Sequence, residues 1–146
     1  MIKKIYFSLI IFIILPLNAN ALIEVDITRG NLDPLPIAVA PLSSDDETNK
    51  KLNKELKKEN IGHKISEVVE NNLKNSGLFN PLDKNAFLQK PDIAHLKPRF
   101  EDWALIKAQA LITGKVSVIN EKLKVEFRLW DVLAGKEMMA LAFTTV

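Results

Sequence analysis

The last third of the chain, from residue 110 onward, constrains the fold most, because its apolar and polar residues alternate. Between Lys122 and Asp131 the apolar side chains stand at every second position: Leu123, Val125, Phe127 and Leu129. A period of two is typical of a strand with one buried face. Turn residues at 120–122 and 134–135 separate three such segments, 110–120, 121–131 and 137–146. We expect these segments to form an antiparallel meander.

One clear amphipathic helix precedes the meander and is predicted over Ile61–Asn75. Asn60 is expected to cap its N-terminus, and Gly77 to take the left-handed conformation just beyond its C-terminus. A second, shorter helix is predicted over Arg99–Lys107, with two acidic residues in its first turn. The apolar residues of the first helix form a single stripe at period 3.6: Ile61, Ile65, Val68, Val69 and Leu73.

Two short strands complete the pattern. Ile37–Leu42 is almost wholly apolar, which favours a strand buried on both faces, and the FNPLD stretch that begins at Phe79 indicates an edge strand. Ser43–Asn60 is polar and lysine-rich; a solvated loop or frayed helix is preferred there over a basic contact patch. This order predicts an α/β fold for residues 37–146: a two-layer sandwich with a mixed sheet of about five strands and two helices on one face.

The first 21 residues have the pattern of a signal peptide. Lys3 and Lys4 precede an apolar run of about eleven residues, too short to span a bilayer, and Ala19 and Ala21 supply the small residues before the cleavage site. Cleavage is predicted between Ala21 and Leu22; the alternative is an uncleaved anchor. Export to the periplasm follows, and residues 22–36 become an N-terminal arm with a proline linker.

Charge and cysteine content exclude several classes of partner and site. The chain has 20 basic and 18 acidic residues, and removal of Lys3 and Lys4 leaves 18 of each. No attraction to nucleic acid or anionic lipid is therefore expected, and no membrane insertion after cleavage. The absence of cysteine excludes disulfides, thiolate metal sites, a cysteine nucleophile and a lipid-modified N-terminus.

No catalytic motif is evident in the sequence. His63 is expected to lie on the polar side of its helix, and His95 has only Asp92 nearby. The serines lack the nucleophile-elbow context, and no phosphate-binding glycine motif is present. Trp103 and Trp130 are expected to be core residues. We therefore expect a protein that is not an enzyme and that uses no cofactor or metal.

The N-terminal arm is the segment for which the fold gives no partner. In LIEVDITRG, apolar and polar residues alternate, but a lone strand needs a sheet edge for its backbone groups. The arm pairs either with its own domain or, by β-augmentation, with another protein. The predicted partner-binding residues are Leu22, Ile23, Glu24, Val25, Asp26, Ile27, Thr28, Arg29 and Gly30.

Three stretches of the chain resemble the N-terminal domain of the TolB family, which belongs to the Tol-Pal system. They are PIAVAPL at 36–42, ISEVVENNLKNSGLFNPLD at 65–83 and ALITGKVSVINEKLKVEFRLWDVLAGKEM at 110–138. The helix exit is the strongest element, with Ser76-Gly77, Phe79 and Pro81-Leu82. Asn72 departs from the family, which often has Asp there.

This resemblance implies a periplasmic interaction domain that a six-bladed β-propeller follows. The sequence stops within a strand-like segment, so we expect the propeller to be missing. By position, Leu22 to about Asp33 would bind the C-terminal domain of TolA, and Pal would bind chiefly through the propeller. The implied roles are outer-membrane integrity, constriction during cell division and import of some colicins. The alternatives are an accessory domain of an outer-membrane assembly factor or of a propeller-type peptidase.

Overall fold

A computed structural model describes residues 33–44, 46–55, 60–90 and 97–145. Its three helices are α1 (Asp46–Glu55), α2 (Ile61–Asn75) and α3 (Phe100–Leu105), and Lys84–Ala86 forms a 3₁₀ turn. Its strands are β1 (Leu35–Val39), β2 (Ser43–Ser44), β3 (Phe79–Pro81), β4 (Ala110–Ile119), β5 (Lys122–Asp131) and β6 (Lys136–Thr144).

The strands form a mixed sheet in the order β3-β1-β4-β5-β6, with the short β2 paired to β4. β1 runs parallel to both β3 and β4, whereas β4, β5 and β6 are antiparallel neighbours. The meander turns tightly through Asn120 and Glu121, both at positive φ. The predicted α/β fold, its mixed sheet and its C-terminal meander are confirmed.

The first strand begins two residues earlier than the apolar pattern indicated. The Leu35 amide donates to the Leu78 carbonyl (2.9 Å), which ties the start of β1 to the end of the α2–β3 connection. Pro36 lies within β1, and its carbonyl accepts from the Gln109 amide (3.0 Å). β1 begins to pair with β4 only at Ile37. Pro36 therefore precedes this ladder, and its lack of an N–H removes no hydrogen bond from it.

Helix α2 has the predicted bounds and the predicted ends. The Asn60 side chain accepts from the His63 amide (3.2 Å), and Gly77 has φ +72° immediately after the C-cap Ser76. Its buried residues, however, are Gly62 and Ser66, and Val68 of the predicted stripe is 59% exposed. The Leu42 amide donates to the Gly62 carbonyl (3.3 Å), so the helix approaches the chain after β1 through its smallest residue.

The two predicted helices lie on opposite faces of the sheet, not on one. Val69 of α2 lies beside Ile112 of β4, whereas Trp103 of α3 packs with Leu111 and Trp130, which point the other way. Burial of the Trp103 side chain, which is 1% exposed, places the α3 segment on that second face. Helix α3 is also shorter than predicted, because Lys107 adopts φ +63° and ends the helical turn.

The core on the α3 face is built around two indole rings. Phe87 packs edge-on against Trp103 with ring centroids 5.0 Å apart, and Phe100 packs similarly against Trp130 at 5.8 Å. Such pairs are favoured beyond the area that they bury. The remaining members of this cluster are Ala38, Ala40, Ala108, Leu111 and Val132.

Candidate functional site

The residues predicted to bind a partner, Leu22–Gly30, lie outside the described residues, and so does the predicted cleavage site at Ala21 and Leu22. His95 and Asp92 also lie outside them. These predictions therefore stay predictions. The described residues form the domain that follows the arm in the chain.

The polar candidates within the described residues have local structural roles. His63 is on the exposed side of α2, as predicted, with its Nδ1 3.2 Å from an Oε1 of Glu67 one turn later. No group of three or more potential metal ligands occurs in the described parts of the chain. None of the helices described there is long and apolar enough to cross a bilayer.

The two tryptophans are core residues, as predicted, and both indole N–H groups are hydrogen-bonded. Trp103 donates to the Gln89 side-chain oxygen (3.0 Å), and Trp130 donates to the Thr113 hydroxyl (2.9 Å). Gln89 is itself buried and also accepts from the Arg99 amide (2.9 Å). These rings therefore hold the fold together and leave no indole face for a partner.

The lysine-rich stretch is more ordered at its start than the sequence predicted. Ser43–Ser44 forms β2 against β4, and Asp46–Glu55 is a helix, where a solvated loop or frayed helix was expected. Thr48 is buried, and its hydroxyl accepts from the Val118 amide (3.2 Å). Lys51 pairs with Glu47 on the exposed side of this helix (2.7 Å). The described part of the stretch thus packs against the C-terminal end of β4.

An apolar surface remains on the sheet where α2 ends its coverage. Helix α2 contacts β3, β1 and β4, but β5 and β6 extend beyond it. A shallow cavity of about 220 Å³ opens there, lined by Val69, Ile112, Phe127, Arg128, Leu129, Met139 and Leu141. We call this surface the β5–β6 face. Phe127 and Phe143 pack against each other on it, with centroids 6.3 Å apart.

Strand β6 is the last strand of the described sheet, and its side chains form part of the β5–β6 face. Met139, Leu141 and Phe143 point to the β5–β6 face and are 51%, 48% and 58% exposed. Among the described residues β6 pairs only with β5, and none of them pairs with its outer edge. Met138–Thr144 contains no charge and no proline, the features with which proteins commonly protect such edges. A long, uncharged edge beside an apolar face is suited to receiving another strand.

The sequence predicted β6 as a strand but not this exposure. The sequence contains a sign of this exposure. β6 is apolar, and the chain has too few predicted helices to cover a sheet of this width. The apolar residues of β6 are Met138, Met139, Leu141 and Phe143. The structure adds that α2 lies over β3, β1 and β4, and not over β5 and β6.

Comparisons with known proteins agree on the family of the chain. The sequence profile of the TolB amino-terminal domain matches residues 23–138. The Tol-Pal system protein TolB of Pelagibacter ubique (strain HTCC1062) is 74% identical over 137 residues. That match covers 94% of this chain and 31% of the relative, so the chain spans about a third of that protein's length.

Solved structures show the same fold at low sequence identity. TolB from Acinetobacter baumannii matches with a TM-score of 0.55 at 18% identity, over 77% of this chain and 23% of that one. The C-terminal domain of LpoB from Escherichia coli matches with a TM-score of 0.55 at 16% identity, over 81% and 87%. At these identities the likeness concerns the fold alone.

Proposed function

Because the chain belongs to the TolB amino-terminal domain family, we propose that it is a periplasmic interaction module whose N-terminal arm binds TolA. The observation that carries the proposal is the 74% identity to a Tol-Pal system protein over nearly the whole chain. The family match begins at Ile23, inside the arm. The leader pattern of residues 1–21 supports export, and a role in outer-membrane integrity and cell constriction follows from the system.

The physical basis of the proposed binding is strand donation. With Ile23, Val25 and Ile27 on one side and Glu24 and Asp26 on the other, the arm offers an apolar row and a polar row. An added strand gains main-chain hydrogen bonds along the partner's sheet edge, and pockets for alternate side chains give selectivity. The proposed role is one of binding, and it assigns no catalytic step and no cofactor.

Pal binding is not assigned to the described domain. The resemblance places Pal chiefly on a propeller, which would lie in the two thirds of the relative that this chain does not span. The likeness to LpoB concerns the fold alone, so it does not favour the alternative of an outer-membrane assembly factor.

Val25→Pro tests TolA binding directly. Proline at the centre of the arm removes a ladder donor, which is tolerated poorly within a paired strand. Losing one or two hydrogen bonds of about 0.5–1.5 kcal/mol each lowers the affinity by about twofold to about 150-fold. Binding is measured by isothermal titration calorimetry against the purified C-terminal domain of TolA from the same organism.

Val25→Ile is the matched control, because it keeps the backbone N–H and a β-branched apolar side chain at the same position. It is expected to bind TolA as the unsubstituted chain does, and circular dichroism should show both variants folded. If Val25→Pro binds with unchanged affinity, strand donation by the arm is wrong. If the unsubstituted chain does not bind TolA, the proposed function itself is wrong.

A further inference from the structure

A second hollow lies at the carboxyl ends of β1 and β3 and shares no lining residue with the β5–β6 face. It has a volume of about 200 Å³ and is lined by Pro41, Lys84, Phe87, Leu88, Gln89 and Lys90. We propose that this site, the Leu88 hollow, docks an acidic peptide segment of another protein, with one apolar side chain of that segment against Leu88. The proposal goes beyond TolA binding by the arm and does not depend on it.

The path of the chain places the Leu88 hollow where α/β sheets bind ligands. β1 continues through α2 to β3, and β3 continues through α3 to β4, while β1 runs parallel to both β3 and β4. Because α2 and α3 lie on opposite faces of the sheet, the segments that follow β1 and β3 diverge. Ligands of open α/β sheets bind in the crevice outside the carboxyl ends of strands at such a point. Pro41 follows β1 and Lys84 follows β3, so the hollow lies in this crevice.

The apolar part of the hollow is exposed but firmly held. Leu88 is 58% exposed, whereas the residues on either side of it are anchored. Phe87 packs edge-on against Trp103, with 5.0 Å between the ring centroids. Gln89 is 4% exposed, and its side chain makes three hydrogen bonds within the domain. Leu88 thus offers a preformed apolar surface, which lowers the entropy cost of binding.

Two lysines without a carboxylate partner flank the hollow. Lys90 lines it, and Lys97 is close to it, because the Lys97 carbonyl accepts from the side-chain nitrogen of Gln89 (3.3 Å). Both lysines are exposed, and within the described parts of the chain neither forms an ion pair. Carboxylates of a bound segment would supply the missing partners.

The acidic residues beside Lys84 are already engaged. Glu70 of α2 pairs with Lys84 at 2.6 Å, and these two side chains are 28% and 24% exposed. The Asp83 side chain caps the 3₁₀ turn that starts at Lys84. The two lysines described above therefore make the rim of the hollow positive. This charge favours an acidic segment over a basic one and accelerates its association.

The size of the hollow indicates a peptide side chain and not a cofactor. Sites for small molecules commonly have volumes of about 300–1,000 Å³. The Leu88 hollow is smaller and open to solvent, so it has room for one large apolar side chain. One such contact with two exposed ion pairs gives weak binding, with a dissociation constant of about 1 mM.

Trp103 provides a probe of the hollow in the unsubstituted chain. Its indole N–H donates to Gln89 in the wall of the hollow, whereas that of Trp130 donates to Thr113 and is an internal control. The isotopically labelled chain is titrated, by heteronuclear NMR, with a synthetic peptide that has a central leucine and two aspartates on each side. We expect the Trp103 indole signal and the amide signals of Leu88–Lys90 to shift progressively, and the Trp130 indole signal to stay in place.

Matched lysine substitutions test the role of charge. Lys90→Gln combined with Lys97→Gln should weaken peptide binding about fivefold, the effect of two exposed ion pairs. Lys74→Gln combined with Lys136→Gln changes the net charge equally. Lys74 is in the last turn of α2, before β3, and Lys136 begins β6 at the other edge of the sheet. This control pair should bind the peptide as the unsubstituted chain does.

Matched leucine substitutions test the apolar contact. Leu88→Ala should weaken peptide binding about fivefold, because the buried part of the peptide's leucine loses its contact. Leu105→Ala is the control, since Leu105 is 73% exposed at the end of α3 and does not line the hollow. Both leucines are exposed, so both variants should stay folded.

Four results would overturn the proposal. The first is unchanged Trp103 and Leu88–Lys90 signals at peptide concentrations several times the expected dissociation constant. The second is equal affinity for a peptide with lysines in place of the aspartates, and the third is equal affinity of the two lysine double variants. The fourth is the same shifts with inorganic phosphate alone, which would indicate a simple anion site. Val25→Pro should bind the acidic peptide normally, so failure of this proposal and failure of TolA binding are distinguishable.

Discussion

Gly62→Ala tests how helix α2 is seated on the sheet. In an exposed helix this substitution stabilises by about 0.8–1.0 kcal/mol, because alanine is the better helix former. At position 62 the added Cβ would lie closer than 3.0 Å to the Leu42 carbonyl oxygen and 3.0 Å from its carbon. Both atoms are backbone, and they cannot rotate away as a flexible side chain can. Overpacking of this kind costs about 1–3 kcal/mol.

We expect the clash to exceed the gain in helix propensity, with a net loss of about 1 kcal/mol in the free energy of unfolding. At a urea dependence of about 2 kcal/mol per molar, the unfolding midpoint falls by about 0.5 M. Urea titration followed by circular dichroism measures it. Asn71→Ala, on the exposed side of the same helix, is the matched control and should raise stability by a few tenths of a kcal/mol. If Gly62→Ala is as stable as the unsubstituted chain, the close approach of α2 to Leu42 is wrong.

Two further substitutions test the polar contacts that hold the core and the helix end. Gln89→Met removes the acceptor that serves both the Arg99 amide and the Trp103 indole, so two donors lose their partner; we expect a loss of about 2–4 kcal/mol in urea unfolding, and a loss below about 0.5 kcal/mol would contradict this role. Asn60→Ala removes the α2 cap and should cost about 1 kcal/mol in the same assay, whereas Asn60→Asp keeps the cap; equal stability of the two would argue against capping.

Local signals along the chain predicted most of the fold. The bounds of α2 follow from Asn60 and Gly77, which act through their own hydrogen bonds and dihedral angles and need no tertiary information. The meander follows in the same way from the alternation of apolar and polar residues and from the turn residues between its strands. A solvated loop or frayed helix was predicted where helix α1 lies, because the sequence there is mostly polar. The contact of α1 with the sheet includes the hydrogen bond to Thr48.

The predictions that were wrong concern which surfaces pack against each other. A local sequence pattern does not specify this packing. The apolar stripe of α2 predicted a buried Val68, but the closest contact uses Gly62, because a helix can approach backbone most nearly where it has no side chain. Likewise, alternation in β6 identifies two faces but not which one is covered. That depends on the position of α2 over β3, β1 and β4, which is set by the three-dimensional packing.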